Sequence, residues 1–112
     1  MDQELREDAV RLTIYLGERD QWEGKPTYKA LLELFRARGL WGCTVTRGLA
    51  GFGKRSVLHA ALPLRLSEDL PLVVECIDAH RKVEGVLPDV ERMVPDGLVT
   101  IAPVKVVRRL GP

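Results

Sequence analysis

The spacing of apolar residues in this chain switches repeatedly between a strand period of two and a helix period near 3.6. The order of these switches limits the possible folds more than any other feature. Residues 9–16 alternate in hydrophobicity, and one side of the predicted strand is formed by Val10, Leu12, Ile14 and Leu16. Residues 28–38 carry apolar side chains at steps of three and four, which predicts a helix that Gly39 closes in a left-handed conformation. Pro26 is predicted at the first position of this helix, where its missing N–H costs nothing.

Strand-like patterns follow the first helix. Residues 41–47 predict a strand that runs into a glycine-rich loop at 48–55. Residues 58–66 predict a long, partly irregular strand, since Pro63 cannot donate a hydrogen bond to a ladder. After a turn at 67–70, the continuous β-branched run 71–78 is typical of a central strand covered on both faces.

The last third of the chain predicts a helix and a final strand. Residues 79–94 carry a helical stripe despite Pro88, so we expect either a kink or a late helix start at Pro88. Residues 98–107 form the last strand, in which Pro103 indicates an edge or a bulge. With the partly irregular segment at 58–66 left out of the count, the order strand, helix, strand, strand, helix, strand predicts the α+β class and a ferredoxin-like βαββαβ fold.

This arrangement places two helices on one face of an antiparallel sheet and leaves the other face uncovered. We therefore expect a homo-oligomer that buries the open face between subunits. The 112 residues have length for one domain only, with a core at about 9–107.

Charge and hydropathy exclude several classes of function. Lysine and arginine number 17 against 16 acids, a net charge of +1, so no overall field attracts nucleic acid. The acidic N-terminus does not resemble a signal peptide, and no apolar run approaches the ~20 residues that a membrane span needs. We expect a cytoplasmic protein without direct membrane insertion and without a nucleic-acid partner.

Cysteine and histidine are too few for a metal centre. Cys43 and Cys76 lie 33 positions apart with no C-x-x-C pair, which argues against a disulfide framework and a tetrahedral zinc site. We expect each to be a reduced, buried small hydrophobe. His59 and His80 are too far apart to form a helical metal pair, so no metal ligands are predicted.

The densest chemical signal is the loop Arg47-Gly-Leu-Ala-Gly-Phe-Gly-Lys-Arg55. Glycines let successive backbone N–H groups turn toward one anion, and the cations add charge, a combination that suits phosphate. Phe52 could stack on a base, so the loop suggests a nucleotide. The alternative is a plain surface loop with solvating cations. The partial Walker A spacing fails, because Arg55 stands where serine or threonine should bind magnesium.

The polar loop at 17–25 is the other candidate. Glu18 and Asp20 could form a catalytic carboxylate pair, or they could simply be solvated loop residues. His59, beside the glycine loop, could touch a phosphate or be an ordinary strand histidine. No recognisable nucleophile, acid and base set is present, so we expect that the protein is not an enzyme.

Four segments in combination resemble the PII-like family of uncharacterised bacterial proteins known as domain of unknown function 190. They are Tyr15-Leu-Gly-Glu-Arg-Asp20, Gly24-Lys-Pro26, Arg47-Gly-Leu-Ala-Gly-Phe-Gly53 and Arg65-Leu-Ser-Glu-Asp-Leu-Pro71. The resemblance runs from about Val10 to Val107. It implies a signalling protein related in fold to the nitrogen-regulatory PII proteins: a homotrimer with its sheets facing inward and adenine nucleotides in clefts between subunits.

The resemblance also implies a site and partners. The ligand would be ADP, ATP or AMP, with no required cofactor, and by position the phosphate-binding residues would be Gly51, Gly53, Lys54 and Arg55. The composition of the loop and its surroundings adds Arg47, Gly48, Phe52 and His59 to the predicted nucleotide-binding residues. The partner would be a membrane transporter such as a fluoride exporter. The alternative is a structural oligomerisation or ion-tolerance module of the same fold that binds no nucleotide.

Overall fold

A computed structural model describes residues 7–52, 59–60 and 69–109 of the chain. Most of these residues belong to four sheet strands, two helices and two small strand pairs. In chain order the elements are β1 (Glu7–Gly17), β2 (Gln21–Trp22), β3 (Lys25–Pro26), α1 (Thr27–Ala37), β4 (Cys43–Arg47), β5 (Ala50–Gly51), β6 (His59–Ala60), β7 (Pro71–Asp78), α2 (His80–Met93) and β8 (Leu98–Val106).

The main sheet is antiparallel and has the strand order β4-β7-β1-β8. Helix α1 connects β1 to β4, and α2 connects β7 to β8, so each helical crossover passes over one intervening strand. This is the ferredoxin-like βαββαβ arrangement that the sequence predicts. The long strand predicted at 58–66 is described only at β6, which pairs with β5 outside the main sheet. Residues 58 and 61–66 of that prediction lie outside the described residues.

The core lies between the helices and one face of the sheet. The predicted inward side of β1 is buried, as are the helical stripes that include Leu31, Phe35, Val83 and Val90. Strand β7 differs from its prediction, because its residues alternate between buried and half-buried. Its buried side faces the helices, whereas its other side lies on the open face of the sheet. The β-branched run therefore reports a central strand, but not one covered on both faces.

The open face carries a mixture of apolar and charged side chains. Tyr15 of β1 and Leu98 of β8 are both exposed and lie directly opposite each other. Further along the same face, Arg11 forms an ion pair with Glu75 of β7 at 3.4 Å. An exposed aromatic and aliphatic pair on a sheet face is the kind of surface that proteins bury against a partner.

The helices keep their predicted places with two corrections. Pro26 is not the first helical residue but the N-cap of α1, with an extended ψ of 133°. Helix α2 begins at His80 and continues through Pro88, so a late start at Pro88 is wrong. Pro88 and Glu84 are both exposed, and water can therefore satisfy the Glu84 carbonyl that a proline four residues later leaves without a donor. Gly39 has the predicted left-handed conformation, with φ of +72°.

Two further details concern the ends of the sheet. Strand β8 is an edge strand and contains Pro103, as the sequence predicts. The polar loop at 17–25 is more ordered than predicted: β2 and β3 form a tight hairpin in which Glu23 and Gly24 both have positive φ. Neither described helix is long and apolar enough to cross a bilayer.

Candidate functional site

Both polar loops singled out by the sequence lie at one end of the sheet. Gly17 ends β1 and pairs with Pro71, and Arg47 ends β4 and pairs with Leu72. The start of β7 therefore separates the two loops by the width of a single strand. They are two parts of one surface, although the sequence offers them as alternative sites.

Gly48 and Gly51 allow the chain to leave β4 in close contact with Pro71. The Gly48 N–H donates to the Pro71 carbonyl at 2.7 Å. A Cβ atom at position 48 would lie 2.9 Å from Pro71 Cγ, and one at position 51 would lie 3.2 Å from it. A side chain at position 48 would force the Pro71 ring to shift, and one at position 51 would require it to give by a few tenths of an ångström, so packing alone favours glycine at both positions. The Gly48 N–H is engaged by Pro71 and is therefore not presented to an anion here, whereas an anion-binding role for the Gly51 N–H stays a prediction.

Arg47 links the two loops. Its Nη2 atom donates to Glu18 Oε2 at 2.5 Å, and its side chain is 60% exposed while that of Glu18 is 27% exposed. The guanidinium carries five N–H donors, of which this contact uses one. Arg47 is therefore held at the mouth of the glycine loop with donors available to an anion.

Asp20 and Asp69 shape the chain around Gly17. The Gly17 N–H donates to Asp20 Oδ2 at 3.1 Å, and the Arg19 N–H donates to Asp69 Oδ1 at 2.9 Å. A Cβ atom at position 17 would lie 2.8 Å from Asp69 Oδ1. Asp20 thus supports the turn while Glu18 bonds Arg47, so the two acids considered as a carboxylate pair have different structural partners.

Phe52 is the aromatic residue of the glycine loop, and it is exposed. Its side chain is 77% exposed, and the neighbouring loop residue Leu49 is 79% exposed. An exposed phenylalanine loses apolar contact with the core and gains nothing from water. Its ring is available for stacking on a flat ligand or for contact with a second protein surface.

The remaining predicted site residues are described only in part. His59 lies directly opposite Gly51 in the pairing of β5 with β6, so the structure brings these two predicted residues together along the backbone. Gly53, Lys54 and Arg55 lie outside the described residues.

Sequence reasoning missed three contributors to this surface: Glu18 as the partner of Arg47, Pro71 as the wall behind the glycines, and Asp69 as an acceptor for the other loop. Glu18 and Arg47 are 29 positions apart, and Arg19 and Asp69 are 50 apart. No local pattern indicates such contacts, since they depend on strand pairing. The pairing of Gly17 with Pro71 and that of Arg47 with Leu72 together bring these residues to one surface.

A second concave region lies at the opposite end of the sheet. This cleft has a volume of about 1170 Å³, and its lining includes Cys43, Cys76 and the segment 106–109 that follows β8. The Arg109 guanidinium carbon lies 4.4 Å from the centre of the Trp41 ring, a cation–π contact that helps to hold this segment against the start of β4. Within the described ranges, no three histidine, cysteine, aspartate or glutamate side chains gather as metal ligands.

The fold matches solved structures of PII-like proteins. One is CPII of Thiomonas intermedia K12 bound to ADP and bicarbonate, with a TM-score of 0.70, 17% sequence identity and coverage of 92% of each chain. Another is CPII of the same organism bound to ADP, AMP and bicarbonate, with a TM-score of 0.71, 16% identity and 92% coverage of each chain. These matches establish the PII-like, ferredoxin-like fold.

Sequence comparisons identify the family. The chain is 40% identical over 96 residues to a UPF0166 protein of Aquifex aeolicus, covering 86% of this chain and 90% of that one. It is 36% identical over 94 residues to a UPF0166 protein of Methanocaldococcus jannaschii, covering 83% and 86%. The family model DUF190, described as "Uncharacterized ACR", matches residues 9–106. The chain therefore belongs to the DUF190 family, as its sequence motifs predict.

Proposed function

We propose that this protein is a non-enzymatic, PII-like regulator that binds an adenine nucleotide at the surface formed by the glycine loop and the loop at 17–25. The observation that carries the proposal is the joint position of Arg47, the two glycines packed on Pro71 and the exposed ring of Phe52. The CPII structures support the choice of ligand, because their described ligands include ADP and AMP.

The phosphates would be bound by charge and by backbone donors. Arg47 offers guanidinium N–H groups beside its contact with Glu18. Lys54 and Arg55 follow in sequence and would add charge, and Gly51 and Gly53 would offer backbone N–H groups unobstructed by side chains. A polyphosphate would also compete with Glu18 for Arg47, since both are anionic partners of one guanidinium.

The base would be bound by stacking. Phe52 is four residues beyond Gly48 and its ring is solvent-exposed. Stacking of a base on an aromatic side chain contributes ~1 to 3 kcal/mol. The binding preference for adenine is supported by the ligands of the CPII structures alone.

The assembly we propose is a homotrimer with the open sheet faces inward and one nucleotide cleft between each pair of subunits. The exposed Tyr15 and Leu98 pair supports burial of that face. Binding would order the glycine loop, and the ordered loop would contact a partner that the free loop does not. We propose a membrane transporter, such as a fluoride exporter, as that partner, on the strength of the family resemblance.

Calorimetric titration with ADP, ATP, AMP and cyclic AMP tests the site, after light scattering has given the assembly size. We expect saturable binding near one nucleotide per subunit, at least tenfold weaker in Lys54→Ala and Arg47→Ala. Lys105→Ala is the matched control, since it removes a cation near the opposite end of the sheet, where Lys105 pairs with Asp8. Equal nucleotide affinity in the wild type and all three variants would refute this binding site. A trimer that binds none of the nucleotides would refute the proposal that the protein senses an adenine nucleotide.

Two further measurements test the rest of the proposal. Incubation of the protein with ATP should leave the nucleotide intact, because the described surface contains no activated nucleophile; sustained turnover would refute the non-enzymatic assignment. Co-purification with a detergent-solubilised fluoride exporter should change when nucleotide is added. Binding that is absent in every nucleotide state would remove this partner.

A further inference from the structure

Two cysteines that are distant in sequence lie directly opposite each other in the sheet. The register of β4 on β7 pairs Cys43 with Cys76, and both thiols are free. We propose that Cys43 and Cys76 are a modification site, at which a peroxide-class oxidant forms a reversible disulfide across the two strands.

The hydrogen-bonding pattern between β4 and β7 shows that Cys43 and Cys76 form a non-hydrogen-bonded pair, the kind in which the two Cα atoms lie closer together. The Gly48 N–H donates to the Pro71 carbonyl, and these residues continue the register one step beyond Arg47 and Leu72. Hydrogen-bonded and non-hydrogen-bonded pairs alternate along an antiparallel ladder. Counting five steps from Gly48 makes Cys43 and Cys76 a non-hydrogen-bonded pair, in which the two Cα atoms are about 4.5 Å apart. A disulfide joins Cα atoms roughly 4.4 to 6.8 Å apart, so the backbone needs little movement.

A small oxidant can reach this pair from one side. Both residues line the cleft of about 1170 Å³ at this end of the sheet. Cys43 is half-buried, whereas Cys76 is only 2% exposed. Oxidation therefore starts at Cys43, and Cys76 acts as the resolving thiol beneath it.

The chemistry balances with peroxide as the sole oxidant. The Cys43 thiolate attacks one peroxide oxygen, the O–O bond breaks, and sulfenic acid and water are formed. Cys76 sulfur then attacks the Cys43 sulfur, and the hydroxyl group leaves with a proton as a second water. Two thiols and one hydrogen peroxide thus become one disulfide and two waters, and a dithiol reductant reverses the result.

The environment makes the step slow at neutral pH. Burial raises the pKa of the Cys43 thiol from 9.0 to about 11. Burial, with the neighbouring Cys43, Asp78 and Glu75, raises that of Cys76 to about 12. Since the thiolate is the reactive form, the pair responds to sustained oxidation and not to brief exposure.

The disulfide would close a loop of chain that contains the glycine loop, one of the two loops of the proposed nucleotide surface. Strand β4 is an edge strand, held in the main sheet by β7 alone, and Arg47 ends it four residues beyond Cys43. Oxidation would therefore fix the far end of the strand that carries Arg47. This inference does not depend on nucleotide binding.

The experiment treats the purified wild-type protein with hydrogen peroxide at pH 8, unfolds it in guanidinium and blocks the remaining thiols with N-ethylmaleimide. We expect a species of single-chain mass with no blocked thiol and a Cys43–Cys76 linked peptide on digestion, and dithiothreitol should restore two reactive thiols. Retention of both thiols, or linkage only between chains, would overturn the proposal.

A shifted-thiol variant provides the matched control. The combined change Cys43→Ala and Val45→Cys keeps two thiols on the same face but moves one to the position opposite Val74. It then lies diagonal to Cys76, about 7 to 8 Å away between Cα atoms, which is beyond disulfide reach. Disulfide formation should be at least tenfold slower than in wild type, with folding checked by circular dichroism. An equal rate would show that the native register has no special role.

Discussion

Replacement of Asp78 should cost more stability than replacement of any exposed acid, because this carboxylate is buried and bonds the backbone twice. Asp78 is 1% exposed, and its oxygens accept the Trp41 N–H at 3.0 Å and the Ala79 N–H at 2.6 Å. Hydrogen bonds to a charged group contribute about 1.5 to 3 kcal/mol each. Asp78→Ala leaves both donors without this acceptor and should lower the free energy of unfolding by about 3 to 6 kcal/mol.

The conservative variant Asp78→Asn retains one carbonyl acceptor, so its loss should be about half as large. Urea unfolding followed by tryptophan fluorescence measures both, since Trp41 lies at the affected contact. Glu33→Ala is the control: Glu33 forms only an exposed ion pair with Lys25, and such pairs contribute ~0 to 1 kcal/mol. If Asp78→Ala cost no more than Glu33→Ala, the argument that Asp78 fastens the start of β4 to the end of β7 would fail.

Four other outcomes are expected. Gly97→Ala should destabilise the fold by several kcal/mol, because its Cβ would lie 2.6 Å from the Tyr15 carbonyl oxygen and would also meet Val94. Gly85→Ala, in the middle of α2 with nothing within 4 Å of the added Cβ, should instead stabilise the fold by ~0.5 to 1 kcal/mol. Equal thermal midpoints for the two variants would contradict the close packing at Gly97. Burial raises the pKa of Cys43 to about 11 and that of Cys76 to about 12, so the unfolded chain loses its thiol protons at lower pH than the folded protein. The free energy of unfolding should therefore fall as the pH rises above about 9, and it should fall less steeply in Cys76→Ser. Urea titrations that give the same dependence of this free energy on pH for both proteins would argue against this. Phe52→Ala should change the free energy of unfolding by less than about 0.5 kcal/mol while weakening nucleotide binding, and a large loss of stability would mean that the ring packs on the protein. Glu18→Gln removes the anion that bonds Arg47 and should strengthen nucleotide binding in calorimetry, whereas weaker binding would mean that Glu18 positions Arg47 for the phosphate.

Local patterns predicted the elements that bury a regular face. The alternation in β1 and the stripe of α1 each report a core through the period of the sequence itself, so the fold followed from their order. The hairpin of β2 and β3 was missed because Glu23 occupies a left-handed position that usually favours asparagine or glycine. The predicted late helix start at Pro88 was wrong because an exposed proline is tolerated inside a helix where water replaces the missing donor.

The candidate site was predictable only in its loop composition. The run from Arg47 to Arg55 identified the loop, but the contact of Arg47 with Glu18 depends on how β1 and β4 flank β7. The facing of Cys43 and Cys76 has the same origin, since strand register and not sequence spacing brings them together. The sequence spacing of Cys43 and Cys76 argued against a disulfide framework and a zinc site, but it carried no information on the register that places them opposite each other.

The pairing of β1 has a consequence for how the chain is made. Its neighbours are β7 and β8, the last two strands of the main sheet to be synthesised, with β8 pairing across nine positions from Glu7 to Tyr15. During translation the apolar side of β1 therefore leaves the ribosome long before either neighbour exists. One side of β1 stays unpaired until β7 has been made and the other until β8 has been made, so a product truncated before Leu98 would expose β1 as an unprotected edge strand.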